Sequence, residues 1–487
     1  MQKIILFSIG LLAAWGAAAQ PKTARLTFEI DSVFKNDNIF LNSVQVKYEP
    51  APSIGLSDVQ LGEYQINRKT LLMPIVGEAQ LVNLVLPRRQ GAGFRQVQLF
   101  LRPDDQLKIL LKADGSPAFE GPTAAYQQFL EDNFSEKIYA YLPALGYNPS
   151  KAKNPRVVQV MDSLQQARQK KYAILKNSTS IDPTFDTFVR AMLMIEPYKI
   201  QNLVEAKETY SVGQLRLTEA QDQTLRRRTL DNFKILPDDA LLYQGYRSEL
   251  KQYVTIQTVE KYPLNTAPPF ELGPEALQYA YQLSDELLRD YPRQREYLLT
   301  YWLDYATTLT NDTKTAPALL TNYRQRYPQS TLNAYFDKTL AAKSKLVLGE
   351  LAPDFILRNR DSVQVALSSM KGQPVLLLFC YNLRQHELIM KSLEERYGRR
   401  MVFLYVNVTP NVSFESWKRI ISPPRPGTQQ LYATEQEAEQ LKSSYWGTMP
   451  YPFVLIDAAG KVARRWIPQE FPDNKTLQKE VNGLMGK

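Results

Sequence analysis

Val375-Leu-Leu-Leu-Phe379-Cys380-Tyr-Asn-Leu-Arg384-Gln385-His386-Glu387-Leu-Ile-Met390 is the stretch around which the rest of the chain is read. The five apolar residues Val375 to Phe379 read as a buried strand. The segment from Glu387 to Tyr397 reads as a helix, with Leu388, Ile389 and Leu393 available for its buried side. Between them lies a short turn containing Arg384, Gln385, His386 and Glu387.

The flanks carry further patterns. Upstream stand Gly349-Glu-Leu-Ala-Pro353-Asp-Phe355 and Val365-Ala-Leu-Ser-Ser-Met-Lys371-Gly372-Gln-Pro. Downstream, Met401 to Val408 reads as the next strand, and Pro450-Tyr-Pro-Phe-Val-Leu-Ile-Asp457-Ala-Ala-Gly460-Lys-Val follows as a hairpin. In this order, over roughly 110 residues, they resemble the GxxAPDF entry, the vxLsdlkGK lead-in, the central strands and the PTxFLIDxxGxi hairpin of thioredoxin-like proteins. The branch is the TlpA/ResA type, related to AhpC/TSA peroxiredoxins. The resemblance covers Leu346 to about Lys487.

In that family the turn after the first central strand is similar to FWAxWCxxC. One thiolate attacks a disulfide and the second resolves the mixed disulfide. Laying Phe379 on the family's Phe puts Cys380 on the first Trp, Arg384 on the first Cys and Glu387 on the second. The resemblance therefore implies a degenerate site lacking CxxC. In the family a cis Pro usually stands six residues before the hairpin Asp and sits against the CxxC. Here Pro450 is seven residues before Asp457, Pro452 is five before it, and Tyr451 holds the expected place. Either a one-residue shift is absorbed locally or the loop is rebuilt. Met449-Pro450 and Tyr451-Pro452 are both open to the cis form, because the tertiary amide of proline weakens the trans preference.

Met1-Gln-Lys3, the apolar run Ile4 to Ala14 and Ala17-Ala18-Ala19 have the three regions of a secretory signal peptide, read as 1–19 with Gln20 the new N-terminus. The run is shorter than the roughly 20 residues a spanning helix needs. No Cys follows the small-residue site, so a lipid anchor is not expected. No other run is long enough to span a membrane. The expected location is the periplasm.

The chain has 487 residues, 44% hydrophobic and 22% charged, which is the composition of a globular protein large enough for several domains. Its net charge of +9 is scattered, with short clusters at Arg226-Arg227-Arg228 and Arg399-Arg400, and no nucleic-acid motif accompanies it. The single Cys cannot form an intramolecular disulfide. Its place after Leu376-Leu-Leu-Phe379 favours burial over a reactive thiol. His386 is the only His, which excludes a zinc site or triad built on several histidines. Beside Glu387 it reads as an exposed residue at a helix start. No metal and no cofactor are expected.

From Lys22 to about Pro122, Arg25–Ile30, Ile39–Tyr48, Gln80–Leu86, Gln96–Leu101 and Gln106–Lys112 alternate or run apolar between turn residues, the pattern of a β-sandwich. Phe119-Glu-Gly-Pro-Thr-Ala-Ala-Tyr126 resembles the end of the N-terminal β-domain in exported thioredoxin-like proteins of Bacteroidetes. From Ala124 to about Lys345 the period is helical, clearest at Val157–Leu175, Asp239–Lys261, Glu275–Asp290 and Tyr297–Leu309, with breaks at Pro183, Pro237, Pro263, Pro274 and Pro292. Arg289-Asp-Tyr-Pro292 and Gln325-Arg-Tyr-Pro328 resemble helix-hairpin repeat endings. Tyr279, Tyr281, Tyr297, Tyr301 and Tyr305 have the spacing of half-buried packing residues with hydroxyls in water.

The expected architecture is multidomain α+β: a β-sandwich at 20–123, a helical domain at 124–345 and a thioredoxin-like α/β domain at 346–487. The expected function is a redox-inactive thioredoxin-fold protein of the cell envelope that binds protein or peptide, or acts as a scaffold. Arg384, His386, Pro450, Tyr451 and Pro452 are the expected binding residues, with Arg384 able to hold a carboxylate through its fork of donors. The alternative is a thiol-disulfide oxidoreductase or thiol-dependent antioxidant enzyme working through Cys380. A third reading makes the β and helical domains the working parts and the C-terminal domain a passenger.

Overall fold

A computed structural model describes residues 22–32, 40–46, 58–65, 70–75, 77–87, 94–134, 155–205, 229–263, 272–308, 314–380, 390–391, 393–409, 412–421, 424–445, 453–466 and 474–485. The 1–19 leader, Arg226-Arg227-Arg228, Leu388 and Ile389 lie outside these residues. The chain divides into two compact units. One comprises Met1–Tyr48, Ser57–Thr209 and Lys234–Glu249; the other comprises Glu49–Leu56, Tyr210–Phe233 and Leu250–Lys487.

The first unit begins with β1 (Thr23–Ile30), β2 (Phe40–Val46), β3 (Asp58–Gln65), β4 (Thr70–Pro74), β5 (Gln80–Pro87), β6 (Phe94–Leu101), β7 (Gln106–Leu111) and β8 (Pro117–Glu120). They form two four-stranded sheets, β4-β1-β7-β8 and β3-β2-β5-β6. One core joins them: Leu26 and Phe28 from β1, Leu107 and Ile109 from β7, Leu84 from β5 and Leu99 from β6. Alternate side chains of each strand face this core, as the period-2 pattern requires. The pairing of β1 with β7 is parallel, so the intervening strands occupy a crossover between them. β3, β4 and β8 lie beyond the strands read from sequence. β3 contains Gly62 and mostly polar residues, and β4 is short, so neither carries a strong alternation.

β6 is an edge strand, and an edge exposes unpaired backbone groups. Helix α1 (Ala124–Phe134) covers it. Gln127 is fully buried; its Oε1 accepts from the Phe100 N–H at 3.0 Å and its Nε2 donates to the Phe100 carbonyl at 2.6 Å. One side chain thus replaces the missing neighbouring strand at that residue. The Phe100 ring packs on Phe185 and Phe188 of α3 (Pro183–Glu205), which follows α2 (Pro155–Ser178). Pro155 and Pro183 open their helices, where the missing proline N–H costs nothing. Asp182 caps α3, its Oδ1 accepting from the Thr184 and Phe185 N–H groups.

A 3-10 turn, Asp238–Leu242, precedes α4 (Gln244–Lys261). The continuous helix expected over Asp239–Lys261 is therefore interrupted at Tyr243, whose backbone is extended. In the second unit, α5 (Pro274–Leu287), α6 (Pro292–Thr308), α7 (Thr315–Arg326) and α8 (Leu332–Lys343) pack together. The two Tyr-Pro endings differ in role: Pro292 opens α6, whereas Pro328 lies in the turn between α7 and α8. Asp285 ties the group, pairing with Arg295 at 2.6 Å and Arg326 at 2.8 Å. Tyr281, Tyr297 and Tyr305 are buried. The Tyr281 hydroxyl donates to Asn322 and that of Tyr305 accepts the Leu272 N–H, so at these two positions protein groups replace the water expected.

The second unit ends in a seven-stranded sheet. Its strands are β9 (Ile356–Asn359), β10 (Gln364–Ala366), β11 (Val375–Cys380), β12 (Val402–Asn407), β13 (Thr428–Tyr432), β14 (Phe453–Ile456) and β15 (Val462–Trp466), in the order β10-β9-β13-β12-β11-β14-β15. β11, β12 and β13 are parallel, while β14 runs antiparallel to β11 and β15 to β14. α9 (Phe414–Ile420) and α10 (Glu435–Tyr445) flank β13 in sequence, and α11 (Asn474–Met485) follows the hairpin. A strand–helix–parallel strand half joined to an antiparallel hairpin and a final helix is the thioredoxin-like arrangement expected from the sequence.

Every residue of β11 is buried. Leu377 and Phe379 face one core with Leu441 and Tyr445 of α10; Leu376, Leu378 and Cys380 face another with Met390, Leu393 and Tyr397, and with Val481 of α11. Burial on both faces explains an unbroken apolar run in place of alternation. The GxxAPDF-like entry meets the hairpin: Gly349 N–H donates to the Val462 carbonyl at 2.8 Å and Ala352 N–H to that of Gly460 at 2.9 Å. Phe355 and Phe379 both pack on the Tyr445 ring.

Gln127→Ala leaves the Phe100 N–H and carbonyl buried without partners. Each unmet group costs about 1–3 kcal/mol, so chemical denaturation of the purified protein is expected to show a loss of about 2–4 kcal/mol. The half-exposed control Gln128→Ala is expected to change stability by less than about 0.5 kcal/mol. Equal effects of the two would show that the edge needs no such cover.

Candidate functional site

The candidate site lies where β11 ends. Cys380 is the last residue of β11 and Phe453 the first of β14; because these strands are antiparallel neighbours, both ends reach the same edge of the sheet. Arg384, Gln385, His386 and Glu387 lie outside the described residues, as do Pro450, Tyr451 and Pro452. Of the site residues expected from sequence, Cys380 alone is described.

Cys380 is 2% exposed, and its Sγ donates to the Val406 carbonyl at 3.6 Å. Burial pushes the thiol up to about 12. A thiol held there is protonated at neutral pH, and the thiolate is the nucleophile in disulfide exchange. Its surroundings are those of a small core residue: Leu378, Met390 and Leu393 belong to the same cluster.

Beside it, in register on β12, stands Asn407. Asn407 is buried; its Oδ1 accepts from the Thr409 hydroxyl at 2.8 Å, while its Nδ2 has no partner among the described residues. A polar cluster around the buried Glu394 and Tyr405 lies on the same face. The Tyr405 hydroxyl donates to Glu394 Oε1, and Arg425 Nε approaches Glu394 Oε2 at 2.9 Å. Burial, with Glu394 beside it, pushes the Tyr405 phenol well up. Glu394 stands one helical turn before the buried Tyr397 and on the same face; as a carboxylate it would read as solvated, and only Tyr405 and Arg425 supply the partners that let it be buried. Nothing local to residues 390–400 announces that pairing.

The edge opposite Cys380 is built differently. A cavity of about 130 Å³ lies at the Val375 end of β11, lined by Val375, Ile456, Asp354, Lys371 and Asp457 among others. Asp354 anchors the entry there: its Oδ1 accepts from the Phe355 and Ser368 N–H groups at 3.0 and 2.9 Å. Partial burial pushes the Asp354 carboxyl up, and the Ser368 and Phe355 hydrogen bonds outweigh it, holding the group below its ordinary range. Among the described residues no group of three or more His, Cys, Asp or Glu is placed to hold a metal ion, and no helix is long and apolar enough to cross a membrane.

No protein-family model matches the chain, and no curated protein matches it. Solved structures resemble part of it. A protein assigned as the thiol:disulfide interchange protein DsbE from Chlorobium tepidum is 22% identical, covering 29% of this chain and 99% of its own, with a TM-score of 0.25. One assigned as a thiol-disulfide oxidoreductase from Bacteroides vulgatus is 20% identical, covering 29% and 99%, with a TM-score of 0.24. The exposed lipoprotein thioredoxin Etrx1 from Streptococcus pneumoniae is 19% identical, covering 27% and 100%, with a TM-score of 0.22. The thioredoxin-like reading of the C-terminal sheet rests on its strand order.

Two outcomes follow from this geometry. In the native protein Cys380 is expected to resist an aromatic disulfide reagent at pH 8 and to release one equivalent of thiol only in denaturant; rapid native labelling would contradict its burial. Because the folded carboxyl of Asp354 is depressed, its contribution to stability is present above the ordinary carboxylate pKa and is lost as the pH falls through the folded value. Asp354→Asn is therefore expected to flatten the acid limb of the stability curve. An unchanged limb in thermal melts from pH 6 to pH 2 would contradict the assignment.

Proposed function

We propose that the chain is an exported, redox-inactive thioredoxin-fold protein that binds protein or peptide, or serves as a scaffold, in the cell envelope. The carrying observation is the single thiol of the chain: it is buried at the end of β11, with burial pushing it up to about 12. Dithiol exchange needs an attacking thiolate and a resolving thiol, and this thiol has no partner Cys in the chain. The turn residues that resemble the two thiol positions, Arg384 and Glu387, cannot attack a disulfide. Signal peptide 1–19, a β-domain at 20–123, a helical domain at 124–345 and a thioredoxin-like domain at 346–487 make up the proposed layout, with a periplasmic location. The proposed lineage is the TlpA/ResA-type, AhpC/TSA-related group of Bacteroidetes. Arg384, His386, Pro450, Tyr451 and Pro452 form the proposed recognition surface, with Arg384 as the carboxylate-binding group.

Insulin reduction by dithiothreitol tests this reading on the purified mature chain and its Cys380→Ala variant. The expected result is a rate equal to that of dithiothreitol alone for both. Acceleration that disappears with Cys380 would replace the proposal by a monothiol enzyme, resolved by an external thiol.

A further inference from the structure

A second cluster on the same sheet lies apart from Cys380 and stands whether or not residues 381–389 carry redox chemistry. Its base is three rings in mutual contact: Phe414 and Trp417 of α9 and Tyr432 of β13, with centroids 5.3 to 5.6 Å apart. The Tyr432 hydroxyl is fixed by donating to the Val412 carbonyl at 2.7 Å. Arg358 of β9 is the cross-strand partner of Tyr432. Its guanidinium lies over the Phe414 ring at 4.7 Å and the Tyr432 ring at 5.9 Å. Lys418 lies over Phe414 at 5.4 Å.

Neither cation has a carboxylate within ion-pair distance among the described residues. Elsewhere in this unit arginines at comparable exposure are paired, as Arg295 and Arg326 are with Asp285. Arg358 is half-buried, and stacking on two rings holds its donors without using them. The charges on this surface are Arg358, Lys418 and Arg419 against the exposed carboxylate of Glu415. Trp417 is 2% exposed and packs on Phe414 and Tyr432, so its indole reports on this surface without touching what binds there.

We infer that Arg358 and Lys418 form a carboxylate-binding site for an acidic peptide segment, stacked on the Phe414–Trp417–Tyr432 cluster. The planar guanidinium takes the carboxylate through two parallel N–H donors, and Lys418 adds charge. The ligand is a side-chain or C-terminal carboxylate, whose two oxygens match the planar fork.

The test is titration of the mature chain, followed by the indole N–H resonance of Trp417, one of five Trp and assigned by its loss in Trp417→Phe. The probes are Ac-Gly-Glu-Gly-amide, Ac-Gly-Gly-Gly with a free C-terminus, the neutral Ac-Gly-Gln-Gly-amide and inorganic phosphate. A saturable shift with either carboxylate probe is expected, and which of the two binds tighter identifies the source. Arg358→Ala is expected to weaken it by about 10-fold or more, and Arg358→Lys, which keeps the charge but loses the fork, by about 5-fold. The Lys variant carries the test should the Ala variant fail to fold. No shift up to about 10 mM probe, an equal response to the neutral peptide, tighter binding of phosphate, or an affinity unchanged in the Arg358 variants would each overturn the site.

Discussion

β11 has no solvent face, and the construction of the C-terminal sheet follows from that constraint. A strand buried on both sides must find cover for both, so Leu377 and Phe379 need α10 while Leu376, Leu378 and Cys380 need residues 390–397 and α11. Each fully buried aliphatic side chain contributes about 2 kcal/mol relative to exposure, which makes the covering helices obligatory parts of the fold. The same constraint decides the state of Cys380. A thiol inside an apolar cluster is costly to ionise, so the position that closes the core also suppresses the chemistry a cysteine offers.

One group of polar residues at this interior forms a network. Tyr405, Glu394 and Arg425 join β12 to residues 393–397 and to the segment that leads into β13. That segment also makes a close approach: Gly427 has φ of +77°, and a Cβ there would stand 1.9 Å from the Gly398 carbonyl oxygen. Only glycine permits the two backbones to meet so tightly. The N-terminal sheets solve a different problem, since β6 is an edge. Gln127 answers it with one amide that satisfies both backbone groups of Phe100.

Much of this was legible in the residues. The run Val375–Phe379 announces a strand buried on both faces, and the absence of a second thiol is a fact of composition that no folding can alter. Prolines marked helix boundaries, although Pro274 and Pro292 proved to be first residues of helices, for which their fixed φ suits them. Strands with weak alternation, β3 above all, were not legible, because their identity comes from pairing with neighbours. The turn residues Arg384 to Glu387 were legible as a departure from the thioredoxin-like pattern.

By itself the sequence determined the apolar identity of β11 and the presence of one thiol, since these depend on local pattern and covalent content. Only the tertiary structure decided which distant residues meet. Arg358 stacks on rings more than fifty positions away, and Glu394 finds Arg425 across a strand. Contacts of that kind leave no local periodicity, because sheet register and helix docking create them after each element has formed.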